Sequence, residues 1–412
     1  MSRQRVAVTG IGVMSPLGCG SRAFREGLAA GRSGIGPITL FDVSTFPVRI
    51  GGQVPWAPPA DGGPAPRDRK VGLGLAAAAE ALGDAGLDAA ALEDAVLHVG
   101  VSLEVFAIED FEAGPDLEAA LAEWLARRDG RELRTPLDRL AETLGGRHGF
   151  LGGRHTNASA CAAGAQAIGE AFLQVREGRA RSALAGAADS MLHPLGLGGF
   201  SLLGVLSVEN DRPGSACRPF DRTRTGTVLG EGAAFLVLED LDAALERGAP
   251  IRAEVLGYGS SLDAYRVSDP DPDGRGACRS MRSALADADL GPGDVDCVNA
   301  HGTGTPKNDV VEAAALREVL GDRAQRIPVH AVKSLTGHCI AASGAVEAAA
   351  AVITLESGLV PPTAGLAEPD PACGLGCLPR QALPFDGRTV LSNSFGFGGQ
   401  NAALVFGKWE GP

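Results

Sequence analysis

An internal repeat constrains the fold of this chain more than any other feature of its sequence. The segment CAAGAQAIGEAFLQVREG at 161–178 aligns with AASGAVEAAAAVITLESG at 341–358, so that glycines recur at a constant spacing. ALGDAGL from Ala81 also matches ALADADL from Ala284 at five of seven places, and VTGIG from Val8 resembles VLGYG from Val255. Three matches in the same order indicate a duplicated chain.

Each half repeats one plan of strand, glycine turn and alanine-rich helix. Strands that alternate with helices are typical of α/β proteins whose sheets are covered by helices, so we expect mostly parallel sheets. The boundary is expected near residue 250, which gives an N-terminal half over 1–250 and a C-terminal half over 251–412. A protein built from two such halves should have its active site where the halves meet.

Composition narrows the classes of partner. Lys and Arg total 37 against 50 Asp and Glu, a formal charge of −13, which argues against nucleic acid or an anionic membrane as a general partner. The sequence contains no run of about eighteen apolar residues, so we expect no membrane span. The N-terminal run VAVTGIGV is broken by glycines and reads as a strand, not a signal peptide. We therefore expect a cytoplasmic location.

The eight cysteines lack the paired spacing of a zinc site, so no metal is expected and most should be reduced structural thiols. Cys161 is the exception. It directly precedes an alanine-rich helix, whose N-terminal N–H groups and dipole favour the nucleophilic thiolate. Taken alone, a cysteine in such a segment is more often a small buried apolar residue.

Three stretches of the second half carry polar residues in apolar or glycine-rich surroundings. They are NAHGTGTPKND with His301, VKSLTGHCIAASG with Lys333 and His338, and the glycine-rich turn of SNSFGFGGQN. Singly, each has a structural explanation, and the turn lacks the Lys and Ser/Thr of a phosphate-binding loop. Together with Cys161 they supply a nucleophile, two imidazoles and free backbone N–H groups, which are the groups that catalysis of acyl transfer requires.

At this point the sequence resembles the β-ketoacyl-ACP synthases, both the synthase II type and the ketosynthases of type II polyketide systems. The resemblance covers most of the chain and rests on VAVTGIGVMSPLG, SACAAG, PFDRTRTGTVLGEGA, NAHGTGTPKND, KSLTGHCIAASGAVE and SNSFGFGGQN. It implies a thiolase-like five-layer αβαβα fold made from the two duplicated halves.

The resemblance also implies a reaction, a decarboxylative Claisen condensation with malonyl-acyl carrier protein. Cys161 would hold the acyl group, while His301 and His338 would donate hydrogen bonds through their Nε atoms as malonate loses carbon dioxide. The backbone N–H groups of Cys161 and Phe397 would form the oxyanion hole, and Phe397 would also act as a gate. No cofactor would be bound, because the phosphopantetheine arm of the carrier delivers the substrate.

Other residues match family positions with supporting roles. Lys333 and Glu347 would form a charged pair near the second histidine, and Asp309 and Glu312 would order its neighbourhood. Thr303 and Thr305 would bind the pantetheine arm. Contact with the acidic carrier protein is expected from a basic cluster of Arg67, Arg69 and Lys70.

Several positions depart from the family pattern. The stretch 101–153, expected to contain two peripheral helices, is poorly matched, and Glu209 stands where many relatives have a basic residue. Thr225 and Thr227 replace a common Asp and Phe. These departures favour specialised biosynthesis, such as polyketide assembly, over housekeeping fatty-acid elongation.

Two other classes of protein are weighed against this interpretation. A non-catalytic subunit resembling a chain-length factor normally lacks the cysteine that is present here, and a thiolase needs a second cysteine in the late glycine-rich loop, which SNSFGFGGQN lacks. A homodimer is expected, with the strand from Ser182 as an interface candidate. A heterodimer with a chain-length factor stays open.

Overall fold

A computed structural model describes residues 3–57, 68–87, 92, 94–102, 136–150 and 152–411. Its strands, β1 to β15 in chain order, are Val6–Ser15, Gly18–Cys19, Ile35–Pro37, Ile50–Gly52, Val96–Gly100, Arg154–Asn157, Ser182–Ser190, Glu231–Asp240, Ala253–Leu262, Cys297–Asn299, Val329–His330, Leu359–Val360, Leu383–Pro384, Thr389–Gly396 and Gln400–Gly407. Its helices, α1 to α10, are Ser21–Ala30, Arg69–Ala85, Arg139–His148, Ala163–Arg176, Pro194–Leu202, Leu241–Glu246, Arg275–Asp287, Pro306–Leu320, Lys333–Thr336 and Ser343–Ser357.

The strand order shows the duplication directly. The main sheet runs β11-β10-β14-β15-β9-β1-β8-β7-β5-β6, with β2 attached to β1. Counted outward from the central β9–β1 pair, the strands of the first half follow the order β1-β8-β7-β5-β6. Those of the second half follow the order β9-β15-β14-β10-β11. Each strand of one half therefore has a counterpart at the same place in the other, and the two sets join where β1 lies antiparallel to β9.

Helices cover these strands in layers. α2 packs on β1 and β8, while α7 packs on β9 and β15, which places one outer helical layer on each side. α4 and α10 lie between the two sets of strands and contact each other. Their residues fill the central core cluster, and separate clusters lie beneath α2 and beneath α7 and α8. The predicted five-layer α/β fold is therefore confirmed.

Close contact between the two central helices explains the glycines of the repeat. A Cβ atom added at Gly344 would lie 2.6 Å from the backbone nitrogen of Ala165, and one added at Gly164 would lie 2.8 Å from the carbonyl oxygen of Ala341. Each helix thus presents a glycine to the other helix's backbone. The constant spacing of glycines in the repeat therefore reflects this contact between α4 and α10.

Three expectations need correction or comment. The sheet is mixed, because β8 lies antiparallel to both β1 and β7, whereas parallel pairing is confined to strands such as β5–β7 and β10–β14. The strand Ser182–Ser190 is not a sheet edge, since β5 and β8 pair with its two sides, so it cannot supply an edge-to-edge interface. Of the two helices expected in 101–153, the second is α3, and the first lies outside the described residues.

All eight cysteines are free thiols, as predicted. Within the described ranges, the segment Ile340–Ser357 is long and apolar enough to cross a membrane, but 89% of it is buried inside the protein. This segment includes α10, the central core helix of the second half.

We expect Gly344→Ala to lower the midpoint of urea unfolding, because overpacking a closely packed contact costs about 1–3 kcal/mol. Gly83→Ala is the matched control, because Gly83 lies in α2 and a Cβ atom added there would meet nothing within 4 Å. That change should be neutral or stabilising by up to about 1 kcal/mol. Equal midpoints for the two variants would contradict the proposed backbone contact.

Candidate active site

Cys161 lies in a strained turn at the start of a central helix. β6 ends at Asn157, a 3-10 turn covers Ala160–Ala162, and α4 follows. Ala160 has a φ of 50°, and Ile340, at the equivalent position of the second half, has a φ of 46°. Residues other than glycine adopt this left-handed conformation only at a cost, which is typical of functional sites. The turn places Cys161 beneath the surface, where it is 4% exposed.

Burial dominates the electrostatics of the thiol. It raises the pKa of Cys161 to about 11, opposed by the charge of Lys333 and by the backbone N–H groups of Phe397 and of Cys161 itself. Burial therefore opposes the thiolate that the sequence predicts at this helix start, and the favoured thiolate stays a prediction. The two N–H groups that face the sulfur are those predicted for the oxyanion hole.

Lys333 fixes the protonation of His301. Its Nζ lies 3.1 Å from His301 Nδ1 and 2.7 Å from the His301 carbonyl oxygen, and it also donates to Glu347 Oε1. An ammonium group can only donate hydrogen bonds, so Nδ1 accepts and the imidazole proton lies on Nε2. Burial, followed by the nearby Lys333 charge, keeps the pKa of His301 well below its usual value.

The second half of the repeat fixes His338 in the same way. The backbone N–H of Ile340 donates to His338 Nδ1 over 3.2 Å, and Ser343 Oγ lies 2.9 Å from the same nitrogen. Nδ1 is thus an acceptor and the proton again lies on Nε2. Burial and Lys333 also lower the pKa of His338. With ring centroids 5.5 Å apart, the two histidines form a pair of neutral Nε2–H donors.

Two buried carboxyl groups on α8 shape the loop that carries His301. Glu312 accepts from the backbone N–H groups of His301 and Gly302, each over 2.8 Å. Asp309 accepts from Gly304 N–H over 3.2 Å and from Phe220 N–H over 2.9 Å. Burial raises the pKa of Glu312 to about 7. Both carboxyl groups thus hold the backbone of this loop in place.

A cavity of about 350 Å³ joins these groups. Cys161, His301, His338 and Phe397 line it, together with the Thr303–Thr305 pair, whose hydroxyl oxygens are 2.8 Å apart. Cys161 and both histidines thus line one cavity.

The glycine-rich turn is a hairpin between β14 and β15 that is tied to a loop near residue 265. Gly398 N–H donates to the Val267 carbonyl over 2.6 Å, and Asp263 N–H donates to the Gly399 carbonyl over 2.9 Å. Asn401 Nδ2 also donates to Asp263 Oδ1 over 2.7 Å. Sequence reasoning missed this loop, because nothing in a polar segment after β9 indicated contact with a turn more than 130 residues away.

The sequence also gave no indication that Phe200 belongs to the site. Its ring centroid lies 6.2 Å from that of Phe397, and both residues line the cavity. The only signal in the sequence was an aromatic residue within a glycine-rich helix.

The predicted carrier contact through the basic cluster needs correction. Lys70 is 1% exposed, with its Nζ 3.5 Å from Asp68 Oδ2, and Arg69 pairs with buried Glu231 over 2.7 Å. Both cations therefore form ion pairs inside the protein and do not contribute to a surface patch. Arg67 lies outside the described residues.

Comparison with known proteins agrees with this geometry. The family model "Beta-ketoacyl synthase, N-terminal domain" matches residues 3–244, and the model "Beta-ketoacyl synthase, C-terminal domain" matches 252–367. The chain belongs to the β-ketoacyl synthase family. This synthase is 39% identical to 3-oxoacyl-[acyl-carrier-protein] synthase 2 of a Synechocystis species, over 100% of the chain and 99% of the relative.

Relatives from polyketide systems are similar to the same degree. The actinorhodin polyketide putative beta-ketoacyl synthase 1 of Streptomyces coelicolor is 38% identical, over 98% of this chain and 88% of the relative. The solved structure named the ishigamide ketosynthase/chain length factor superposes with a TM-score of 0.88 at 36% identity, covering 99% of this chain and 100% of its own.

We expect the rate of Cys161 alkylation by iodoacetamide to rise about tenfold per pH unit from pH 7 to 9 without a plateau, because only the thiolate reacts and its pKa is near 11. Mass spectrometry of the Cys161 peptide would measure it separately from the exposed Cys19. A plateau below about pH 8.5 would show that the helix N-terminus outweighs burial.

Lys333→Met should slow this alkylation at every pH in the same range, because the Lys333 charge lowers the pKa of Cys161. The same peptide assay measures the change, with circular dichroism as the check on folding. Unchanged rates in a folded variant would show that Lys333 does not act on the thiol.

Proposed function

We propose that this synthase catalyses decarboxylative Claisen condensation of a Cys161-bound acyl group with malonyl-acyl carrier protein. One observation carries the proposal: a single cavity holds a buried thiol and two neutral imidazoles with their protons on Nε2. A nucleophile alone would support many acyl transfers. Two fixed neutral donors beside it suit a reaction that develops negative charge on an oxygen.

The first step is acyl transfer to the thiol. The sulfur of Cys161 forms a bond to the thioester carbonyl carbon of the incoming acyl group, and the bond to the pantetheine sulfur breaks. The proton lost by Cys161 ends on the released pantetheine thiol, so no net proton is exchanged. The oxyanion that develops accepts from the N–H groups of Cys161 and Phe397, which already face the sulfur.

The second step forms the new carbon–carbon bond. The bond to the malonyl carboxylate breaks, carbon dioxide leaves, and the electron pair moves to the thioester oxygen, which His301 and His338 stabilise through Nε2–H. The resulting carbanion attacks the carbonyl carbon of the Cys161 thioester and expels the thiolate. This thiolate takes up one proton from the solvent, which is the proton that the overall decarboxylative condensation consumes, and the thiol is regenerated.

An acyl carrier protein fits as the substrate source because the thiol is deep. Cys161 is 4% exposed, so an acyl group must arrive on a flexible arm, and the hydroxyls of Thr303 and Thr305 offer that arm hydrogen bonds along the cavity. A structure titled as a type II PKS acyl-carrier protein in complex with its ketosynthase superposes with a TM-score of 0.85 at 32% identity, covering 99% of this chain and 100% of its own.

The pathway is type II polyketide or fatty-acid biosynthesis, and the departures at Glu209, Thr225 and Thr227 favour the polyketide route. We place the enzyme in the cytoplasm, as a homodimer or as a heterodimer with a chain-length factor. The alternative of a non-catalytic partner subunit is disfavoured, because Cys161 and both histidines face one cavity.

We expect His301→Ala to lower carbon dioxide release from malonyl-carrier at least about 10²-fold, the usual loss on removing one oxyanion donor. Acylation of Cys161 by an acyl-pantetheine thioester should change much less, since its oxyanion uses backbone N–H groups. Labelled carbon dioxide and mass spectrometry of the Cys161 peptide measure the two steps. A wild-type enzyme that shows neither step would overturn the proposed function.

A further inference from the structure

A buried carboxyl group outside the catalytic set connects the two halves of the chain. Asp189, near the end of β7, is 0% exposed. Its Oδ1 accepts from Ser102 Oγ over 2.8 Å and from Ser190 N–H over 2.9 Å, and its Oδ2 accepts from Ala341 N–H over 3.0 Å. Burial raises the pKa of Asp189, whereas the charge of Lys70 and these hydrogen bonds oppose that rise. Both oxygens thus act as acceptors, as those of a carboxylate do.

The N–H of Ala341 is the counterpart of an oxyanion-hole N–H in the first half. The repeat aligns 341–358 with 161–178, so Ala341 corresponds to Cys161. Each of the two follows a residue with a positive φ, Ile340 or Ala160, in a 3-10 turn that precedes a central helix. The N–H of Cys161 faces the sulfur, whereas that of Ala341 binds a carboxylate. N–H groups at a helix start attract anionic oxygens, so the same anion position occurs in both halves.

The strand that reaches each turn explains why only one of these positions is open. β14 of the second half packs against the turn of Cys161, and β7 of the first half packs against the turn of Ala341. At the end of β14, a Cβ atom added at Gly396 would lie 3.0 Å from the Cys161 nitrogen, so the glycine leaves room beside that N–H. At the end of β7, the Asp189 carboxylate occupies the N–H of Ala341. The first half therefore leaves the position free for a substrate oxygen, and the second half fills it from the chain.

The turn that Asp189 binds also orients His338. Ile340 has a φ of 46°, which is costly for a β-branched residue and persists only where its surroundings hold it. The Ala341 N–H belongs to the peptide group that follows Ile340, so its hydrogen bond to Asp189 restrains this conformation. In that conformation, Ile340 N–H donates to His338 Nδ1 over 3.2 Å. The proton of His338 therefore stays on Nε2.

We propose that Asp189 is a positioning residue for the condensation: its carboxylate fills the second-half anion position and thereby holds His338 as an Nε2–H donor. This inference rests on the proposed function, in which His338 stabilises the thioester oxygen as carbon dioxide leaves. Acylation of Cys161 uses the N–H groups of the first turn and of Phe397, so it should depend on Asp189 much less. Lys70 then has an internal role, because its charge favours the ionised form of Asp189.

The test measures the two chemical steps separately in wild type and two variants. Asp189→Asn keeps the size of the side chain but loses its charge, and its one acceptor oxygen cannot serve both Ser190 N–H and Ala341 N–H. Ser102→Ala is the matched control, because it removes a hydrogen bond of the same carboxylate and leaves the bond to Ala341 in place. Labelled carbon dioxide from malonyl-carrier reports one step. Mass spectrometry of the Cys161 peptide after reaction with hexanoyl-pantetheine reports the other.

Asp189→Asn should slow carbon dioxide release about 10-fold to 10²-fold, since displacing a catalytic group by about 1 Å can cost that much. Its acylation by hexanoyl-pantetheine should change much less, because the oxyanion hole of the first half is intact. Ser102→Ala should resemble wild type in both steps.

NMR of the nitrogen-labelled histidine side chains provides a readout that general damage to the fold would not produce. In wild type, His301 and His338 should both be Nε2–H tautomers, with signals assigned by their loss in His301→Ala and His338→Ala. In Asp189→Asn, His338 should also populate the Nδ1–H tautomer. His301 should keep its tautomer there, because Lys333 holds it.

Equal carbon dioxide release in Asp189→Asn and Ser102→Ala would overturn the proposal, as would an equal loss of both steps or a folded Asp189→Asn in which His338 keeps one tautomer. If circular dichroism shows that Asp189→Asn is unfolded, Lys70→Met takes its place, because it removes the charge that favours the carboxylate. Carbon dioxide release in Lys70→Met equal to that in Ser102→Ala would then contradict the proposal. The proposed function fails separately, when wild-type enzyme shows neither step.

Discussion

The chemistry of this site depends on one buried ammonium group. Lys333 is 1% exposed and uses its three donors on His301 Nδ1, the His301 carbonyl and Glu347. A buried cation is tolerated only when it is paired and hydrogen-bonded. Burial nevertheless raises the pKa of Glu347 to about 7, so desolvation outweighs the attraction of Lys333. The Lys333–Glu347 pair fixes the tautomer of the His301 imidazole. Removing one partner of a buried ion pair typically lowers the free energy of unfolding by about 3–5 kcal/mol.

The duplicated helix start is used differently in the two halves. In the first half, the turn with a positive φ at Ala160 presents the thiol of Cys161. In the second half, the equivalent turn at Ile340 donates its N–H to His338, and the next N–H, from Ala341, binds Asp189 Oδ2 over 3.0 Å. Asp189 belongs to β7 of the first half. The repeat thus yields a nucleophile in the first half and an oriented hydrogen-bond donor in the second, and Asp189 ties the second helix start to the first half.

The duplication was predictable from the glycine spacing, because that spacing reflects backbone contacts that repeat. The five layers and the gathering of Cys161, His301 and His338 were predictable through the resemblance to the β-ketoacyl-ACP synthases. The sheet's mixed direction was not, since alternation of strands and helices does not reveal that β8 runs against its neighbours. The carrier contact predicted for the basic cluster was wrong for a related reason. The charge of a residue does not show whether a carboxylate such as Glu231 lies close enough to pair with Arg69 inside the protein. The link from Gly398 to Val267 left no local pattern at all.

Enclosure connects these features. The environment that raises the pKa of Cys161 also strengthens hydrogen bonds from backbone N–H and imidazole groups, because few water molecules compete for their acceptors. A thiol whose pKa is raised by burial reacts slowly with solution electrophiles, whereas the N–H groups activate an acyl group that is held against them. Access then has to be controlled at the entrance, where Phe397 meets Phe200 and the loop around Val267.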